Sequence, residues 1–306
     1  MEEALLFPGQ GAQFPGMGKD WCEAFTTARD TFDEANDILG FSLTDACWAE
    51  GDGVHRTDIA QPGILTTSAA IVRVLREEDL VIENSPFAAG LSLGEYTALW
   101  FVGSLTFADA LRLVRLRGEA MQDASELCES SMLALTGGNE EQAIQLAAIG
   151  SEHGICAVAN LNAPGQVILS GEIVALDAAA AAAKDVGVRR TRRLTVAGGF
   201  HSECMAPAQA RLEAALSEVE IKAPSLPFAT NVTGGEVTDP EEIRSFLARQ
   251  VCSPVRWELT MRNALAKGLT RFLEPGPGKV LSGLMGRIDS SAEVRSLATP
   301  ADLEAN

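Results

Sequence analysis

The pentapeptide Gly90-Leu91-Ser92-Leu93-Gly94, set between the apolar run Pro86 to Ala89 and the helix-like run Glu95 to Val102, constrains this chain more than any other stretch. Where a strand turns sharply into a helix the backbones cross closely, and glycines two positions either side of a serine supply the clearance. The serine is then held out at the tip of the turn. Beside it lie unpaired backbone N–H groups and the positive end of a helix dipole, which favour a developing oxyanion. A five-residue pattern of this kind also arises by chance, so the strand before it and the helix after it carry the reading of Ser92 as a nucleophile.

A nucleophilic serine needs a base, and the chain has three histidines. His55 sits among Gly51, Asp52, Gly53 and Asp58 in a surface-loop context, and His153 follows a helix end at Gly150; both read as solvated. His201 follows the two glycines of Ala197-Gly198-Gly199-Phe200, which let the backbone turn tightly and hold the imidazole out, so it is the expected base. In the helical run Thr106 to Met121, capped by Thr106, the arginines differ in setting. Arg112 and Arg115 share a face with Glu119, whereas Arg117 falls on the apolar face with Leu113, Val114, Ala120 and Met121. A buried guanidinium requires an anion or a route to solvent. The spacing leaves open an internal partner such as Glu95, a snorkelling side chain, or a substrate carboxylate gripped by two parallel bonds.

Size and charge bound the rest. At 306 residues and 46% hydrophobic content the chain has material for two units, and a net charge of −18 disfavours nucleic-acid binding. The six cysteines show no CxxC spacing and read as reduced core residues of a cytoplasmic protein. The acidic start Met1-Glu2-Glu3 has no leader pattern, and no apolar run reaches membrane-spanning length.

Ala4 to Phe7 reads as a buried strand running into the glycine-rich loop Pro8 to Gln13; Phe14 stands where a dinucleotide fingerprint needs its third glycine. Lys19 to Leu39 reads as helical, and Ala60 to Leu75 as a helix with Pro62 in its first turn. From Met132 to Val196 the order is strand, helix, strand, strand, helix, strand: Met132 to Leu135, Glu140 to Ala148, Ile155 to Ala159, Gln166 to Ser170, Ile173 to Val186 and Val188 to Val196. That order is the βαββαβ pattern of a ferredoxin-like unit. Beyond it, helices are expected at Ala206 to Val219, Pro240 to Gln250 and Trp257 to Lys267, with strands at Phe228 to Asn231 and Arg271 to Leu273. The loop Glu274 to Lys279 lacks the spacing and the Ser/Thr of a P-loop.

Together the stretches Phe7 to Gln13, Gly90 to Leu99, Leu116 to Met121, Asn162 to Val167, Gly199 to Ser202, Asn231 to Thr233, Gln250 to Trp257 and Glu274 to Leu281 resemble the landmarks of malonyl-CoA:acyl carrier protein transacylases, in order and over nearly the whole chain. The resemblance implies that Ser92 takes the malonyl group as an ester and that His201 moves the proton. It implies a histidine oriented by the backbone carbonyl of Gln250, an oxyanion hole made by the N–H groups of Gln10 and Leu93, and a malonyl carboxylate held by Arg117. Asn160, Asn162 and Phe200 would line the substrate pocket. Leu91 departs from the family, where histidine is common before the nucleophile. Phe200 resembles malonyl-selective members, since an aromatic wall leaves little room for a methyl branch.

The expected fold is α/β: a large α/β-hydrolase-like domain with a parallel sheet, from residues 1–128 and 197–306, interrupted by a ferredoxin-like subdomain at residues 129–196. The expected activity is malonyl transfer from malonyl-CoA to the phosphopantetheine thiol of an acyl carrier protein for fatty acid synthesis, by a monomer needing no metal or other cofactor and touching neither nucleic acid nor membrane. An acyltransferase of a polyketide pathway is the alternative within the class. A serine hydrolase or thioesterase, with Asp177 or Asp185 as its third member, is the alternative outside it, and a non-enzymatic binding module the next. The carrier is expected to be acidic, as this chain is, so docking needs a local basic patch. Arg189, Arg190, Arg192 and Arg193 supply one, with Arg287 and Lys279 as additions; strand alternation pairs Arg189 with Arg193 and Arg190 with Arg192 on opposite faces. Edge protection of a strand is the other use of such charge.

Overall fold

The computed structural model describes residues 3–78 and 84–303, so Met1 and Glu2, read above as free of a leader pattern, lie outside them. The strands are β1 (Ala4–Phe7), β2 (Ala88–Gly90), β3 (Ser130–Thr136), β4 (Cys156–Ala163), β5 (Gln166–Glu172), β6 (Arg190–Arg193), β7 (Phe228–Ala229), β8 (Arg271–Pro275) and β9 (Glu293–Leu297). The α-helices are α1 (Lys19–Ala24), α2 (Thr26–Leu39), α3 (Leu43–Trp48), α4 (Thr57–Glu77), α5 (Gly94–Phe101), α6 (Phe107–Leu127), α7 (Glu140–Ser151), α8 (Ile173–Ala182), α9 (Ala206–Ser217), α10 (Pro240–Gln250), α11 (Trp257–Ala266) and α12 (Val280–Ile288).

One sheet has the order β7-β2-β1-β8-β9 with every pair parallel. Parallel strands joined by helical crossovers are covered on both faces, so they carry apolar runs without alternation. In β1, Leu5 and Phe7 enter one core beneath α4 and α5, while Ala4 and Leu6 enter a second with Trp257, Met261 and Met285. The second sheet has the order β4-β5-β3-β6 with every pair antiparallel. Leu133, Leu135, Val167 and Leu169 on one of its faces pack under Leu146 of α7 and Leu176 of α8. On the other face Met132 and Ile168 turn towards Met121 and Phe200.

Several elements depart from the sequence expectation. The helical run Lys19 to Leu39 breaks at Phe25, whose extended backbone (φ −130°) separates α1 from α2. Helix α4 starts at Thr57, so Pro62 lies in its second turn and not its first. Proline there leaves the carbonyl of Asp58 without its helical donor, and Arg115 Nη1 donates to that carbonyl at 2.6 Å. Helix α8 ends at Ala182, short of Val186, and β6 covers only Arg190–Arg193 of the longer strand expected. Helix α3, helix α12 and strand β9 had no counterpart in the sequence reading. All six cysteines are free, and Cys128 Sγ lies 3.2 Å from Cys204 Sγ, a contact that scattered spacing concealed. Among the described residues no helix is long and apolar enough to cross a membrane.

Candidate active site

The serine elbow joins β2 to α5 beside the end of β1. A Cβ on Gly90 would stand 1.9 Å from the backbone of Gly94, and one on Gly94 would stand 2.1 Å from the carbonyl oxygen of Phe7. Neither position accepts a side chain, which is the physical content of the glycine spacing. Ser92 (φ 53°) and His201 (φ 60°) are the two non-glycine residues of positive φ among the described residues. Strain of that kind persists where the surroundings over-determine it, and both residues are tied on several sides.

Ser92 Oγ lies 2.8 Å from His201 Nε2, and His201 Nδ1 lies 2.9 Å from the carbonyl oxygen of Gln250. A carbonyl only accepts, so Nδ1 carries the hydrogen and Nε2 turns a lone pair towards the serine, as a base requires. Burial, followed by the charge of Arg117, depresses the imidazole to about 4, so it is neutral in the resting site. Asp177 on α8 is bound to Arg193 and does not stand behind the histidine.

Arg117 is buried and pairs with no carboxylate among the described residues. Its Nη2 donates to Ser92 Oγ at 3.0 Å and to Gln250 Oε1 at 2.9 Å, and its Nη1 donates to Gln61 Oε1 at 2.8 Å. Its Nε is buried without a partner. Desolvation is the main force lowering its pKa, which is the cost of holding a cation here with neutral acceptors.

A cleft of about 840 Å³ opens over Ser92. Gly9, Gln10 and Gly11 form one wall, and the loop is drawn against the elbow: Leu91 N donates to Phe7 O at 3.0 Å, and a Cβ on Gly9 would meet the carbonyl oxygen of Leu91 at 2.2 Å. Among the described residues no protein acceptor takes the backbone N–H of Gln10 or Leu93. Phe200, Asn160 and Asn162 all line the cleft, and Asn162 Oδ1 is buried without a partner. Strand β4 has register irregularities between Val158 and Asn160 and between Leu161 and Ala163; Asn160 pairs with Ile168 just after the first, and Asn162 lies unpaired within the second. Leu91 is nearly buried against Leu281 and Leu284 and supplies an apolar patch of the same wall. His55 also lines the cleft, exposed at its mouth with Nδ1 3.3 Å from Gln13 Nε2 and far from the serine–histidine pair in bonding terms.

The basic residues divide. Arg192 pairs across from Ala134, which pairs with the cleft residue Ile168, and Arg190 pairs with Thr136, opposite the cleft residue Gln166. Opposed residues share a face, so Arg190 and Arg192 stand on the cleft side of the small sheet, exposed. Arg193 lies on the helix side, bound to Asp177, and Arg189 precedes the strand. Arg287 extends the helical stripe of Val280 and Leu284, which line the cleft from α12. Lys279 Nζ lies 3.6 Å from Asp302, so its charge is partly matched.

Three residues around Ser92 went unassigned in the sequence. Asn231 Oδ1 accepts from Ser92 N at 2.5 Å while its Nδ2 donates to Gly90 O at 2.6 Å, clamping the elbow. Gln61 stood next to Pro62 and passed as scaffold, and Glu95 was weighed only as a direct partner of Arg117. The Asn231-Val232-Thr233 stretch was the one signal available, and it named no chemistry.

Residues 4–290 match the acyl transferase domain family. Over 304 residues the chain is 40% identical to the malonyl CoA-acyl carrier protein transacylase of Bacillus subtilis, covering 98% of this chain and 95% of that protein. An acyl carrier protein S-malonyltransferase from Vibrio cholerae has the same fold at a TM-score of 0.95 and 36% identity, over 100% of this chain and 99% of that one. A malonyl-transacylase solved in complex with its type II PKS acyl-carrier protein gives 0.94 at 35% identity, over 100% of both chains. The chain belongs to the acyl transferase domain family, among the malonyl CoA-acyl carrier protein transacylases.

Proposed function

We propose that this protein transfers the malonyl group from malonyl-CoA to the phosphopantetheine thiol of an acyl carrier protein, supplying fatty acid synthesis, with Ser92 as the carrier of the acyl group. The observation that carries the reading is a buried cation, Arg117, that touches the nucleophile and has no carboxylate of its own. A substrate that brings a free carboxylate to Ser92 completes that site.

In the first half-reaction Ser92 Oγ attacks the thioester carbonyl as its proton passes to His201 Nε2. The oxyanion is received by the N–H groups of Gln10 and Leu93. Collapse breaks the carbon–sulfur bond, and the departing thiolate takes the proton from His201. The second half-reaction runs the same steps in reverse order with the carrier's thiol, which yields its proton to His201, attacks the Ser92 ester and leaves the serine protonated. The steps use side chains and backbone groups of this chain and draw on no cofactor. Arg117 grips the malonyl carboxylate, while Asn160, Asn162 and Phe200 bound the acyl and pantetheine space. Arg190, on the cleft side of the small sheet, and Arg287, on α12, receive the acidic carrier, with Arg189 and Lys279 completing the patch.

The finer architecture follows the same reading. Residues 1–128 and 197–306 form a large α/β-hydrolase-like domain, supported by a nucleophile on a strand-to-helix elbow of a parallel sheet. Residues 129–196 form an inserted ferredoxin-like subdomain, supported by four antiparallel strands in which the first and third are central. A cytoplasmic enzyme acting as a monomer fits this function.

A carbonyl in place of a carboxylate behind His201 favours transfer over hydrolysis. The relative solved with a type II PKS carrier shares this fold, so a polyketide carrier is the second reading of the same chemistry. Intact-mass measurement after mixing with malonyl-CoA tests the proposal. A malonyl adduct on Ser92 that is discharged by a fatty-acid carrier protein supports it; discharge by water, or no adduct, sinks it. Competition between fatty-acid and polyketide carriers decides the pathway.

A further inference from the structure

Glu95 is fully buried one turn beyond the nucleophile, yet its carboxylate neither reaches Ser92 nor forms an ion pair with Arg117. The amide of Gln250 stands between the two charges. Gln250 Nε2 donates to Glu95 Oε2 at 2.6 Å and to Ser92 O at 3.0 Å, and Gln250 Oε1 accepts from Arg117 Nη2 at 2.9 Å. The same Glu95 oxygen accepts from Asn231 N at 3.2 Å, and the Asn231 side chain clamps Gly90 and Ser92.

An amide has two chemically different ends, and its orientation follows whichever neighbour accepts only. With an acceptor at Glu95, the NH₂ end of Gln250 must face it and the oxygen must face the guanidinium. With that acceptor gone, the NH₂ end keeps only the carbonyl of Ser92, the amide is held less firmly, and its oxygen, one of the three hydrogen-bond acceptors of Arg117, is free to shift away from the guanidinium.

We infer that Glu95 is a positioning residue for acyl selectivity: through the Gln250 amide it fixes the orientation of Arg117 and so the grip on the substrate's free carboxylate. This rests on the transfer reading above. Its burial pushes the Glu95 carboxyl up to about 7, and either protonation state keeps an oxygen for Gln250, so an acceptor rather than a full charge is what the relay requires.

The test is the malonyl-to-acetyl ratio of Ser92 acylation rates, read by intact mass in single-turnover mixing. Glu95→Met, which removes the acceptor, lowers malonyl acylation about tenfold or more against acetyl. Glu95→Gln, which keeps an oxygen, stays within about threefold of the parent ratio. Because the relay acts through Arg117, adding Glu95→Met to Arg117→Ala changes the ratio no further. A merely looser elbow would slow both acyl groups alike, and that outcome overturns the inference, as does additivity with Arg117→Ala or a loss in Glu95→Gln equal to that in Glu95→Met. Where Glu95→Met does not fold, Glu95→Asp withdraws the acceptor by one methylene and the same drop in ratio is required. The parent separates the two levels: no malonyl adduct in the parent sinks the transfer reading, whereas an adduct with unchanged ratios in the variants sinks only the role of Glu95.

Discussion

His201 Nδ1 meets the carbonyl oxygen of Gln250 at 2.9 Å, and this one contact settles the histidine's tautomer without a carboxylate. A backbone carbonyl fixes the ring and carries no charge to stabilise an imidazolium. On the proposed mechanism the base therefore hands its proton on to the departing thiolate and takes one from the entering thiol, which suits acyl transfer between thioesters. Ser92→Ala is expected to abolish the malonyl adduct, and His201→Ala to slow adduct formation by at least about 10⁴-fold, since the pair acts as a unit. Peptide mapping of the adduct checks this; malonyl retained at another residue in Ser92→Ala would refute the assignment.

Arg117→Ala should lower malonyl acylation far more than acetyl acylation, by about a hundredfold or more in the ratio, because acetyl offers no anion. Arg117→Lys should also be poor, since a point charge cannot reproduce the two-pronged fork. Equal losses for both acyl groups would return Arg117 to a structural role.

The two buried titrating groups of the site oppose each other in stability. Burial lowers His201 from 6.5 to about 4, so between those values only the unfolded chain holds its proton, and this contribution is complete above 6.5 and lost as pH falls. Burial raises Glu95 from 4.5 to about 7, so between those values only the folded chain holds the proton, and this contribution is complete below 4.5 and lost as pH rises. Each amounts to a slope of about 1.4 kcal/mol per pH unit, with opposite sign, so they offset between pH 4.5 and 6.5. Glu95→Gln removes one side. Relative to the parent its urea midpoint should climb steadily from pH 4.5 to 7, and parallel curves for the two proteins would count against it.

Charge reversal of Arg190 and Arg192, the pair on the cleft side of the small sheet, should weaken transfer to carrier protein about tenfold or more at low salt. The parent should show a steep salt dependence in that half-reaction. Acylation by malonyl-CoA and transfer to free pantetheine should hold within about twofold. If carrier and pantetheine suffer alike, the pocket has been damaged and the docking surface lies elsewhere.

Much of the frame was legible in the sequence because local chemistry set it. The glycines around Ser92 announced a crossing too tight for side chains, the apolar run Ala4–Phe7 announced a strand buried on both faces, and Asp239-Pro240 marked the start of α10 to the residue. Pro62 misled, because a proline in a second turn is tolerable only when a distant donor, here Arg115, takes up the freed carbonyl. The face of each β6 arginine was readable only in part, since Arg189 proved to lie before the strand. What spacing could not reach was the hydrogen-bond network around Ser92: Gln61, Glu95 and Gln250 come from three helices and Asn231 from the turn after β7, and they meet only through the fold. Their residue types are common, and no local pattern distinguishes a glutamine that orients a cation from one that faces solvent.

Phe7 and Gly90 are opposite each other in register on the neighbouring parallel strands β1 and β2, and the chain leaves each strand end into one of the two segments that carry Gln10 and Leu93. If those two N–H groups receive the oxyanion, as proposed, their spacing is inherited from the sheet, whose strands lie about 4.8 Å apart, and not from any side chain. Such a hole is insensitive to most substitutions in its own loop. Loss-of-function variants that spare Ser92, His201 and Arg117 should accordingly concentrate at Gly9 and Gly94, where a single added methyl group pushes the two strand exits apart, and at Gly90, where it strikes the start of α5.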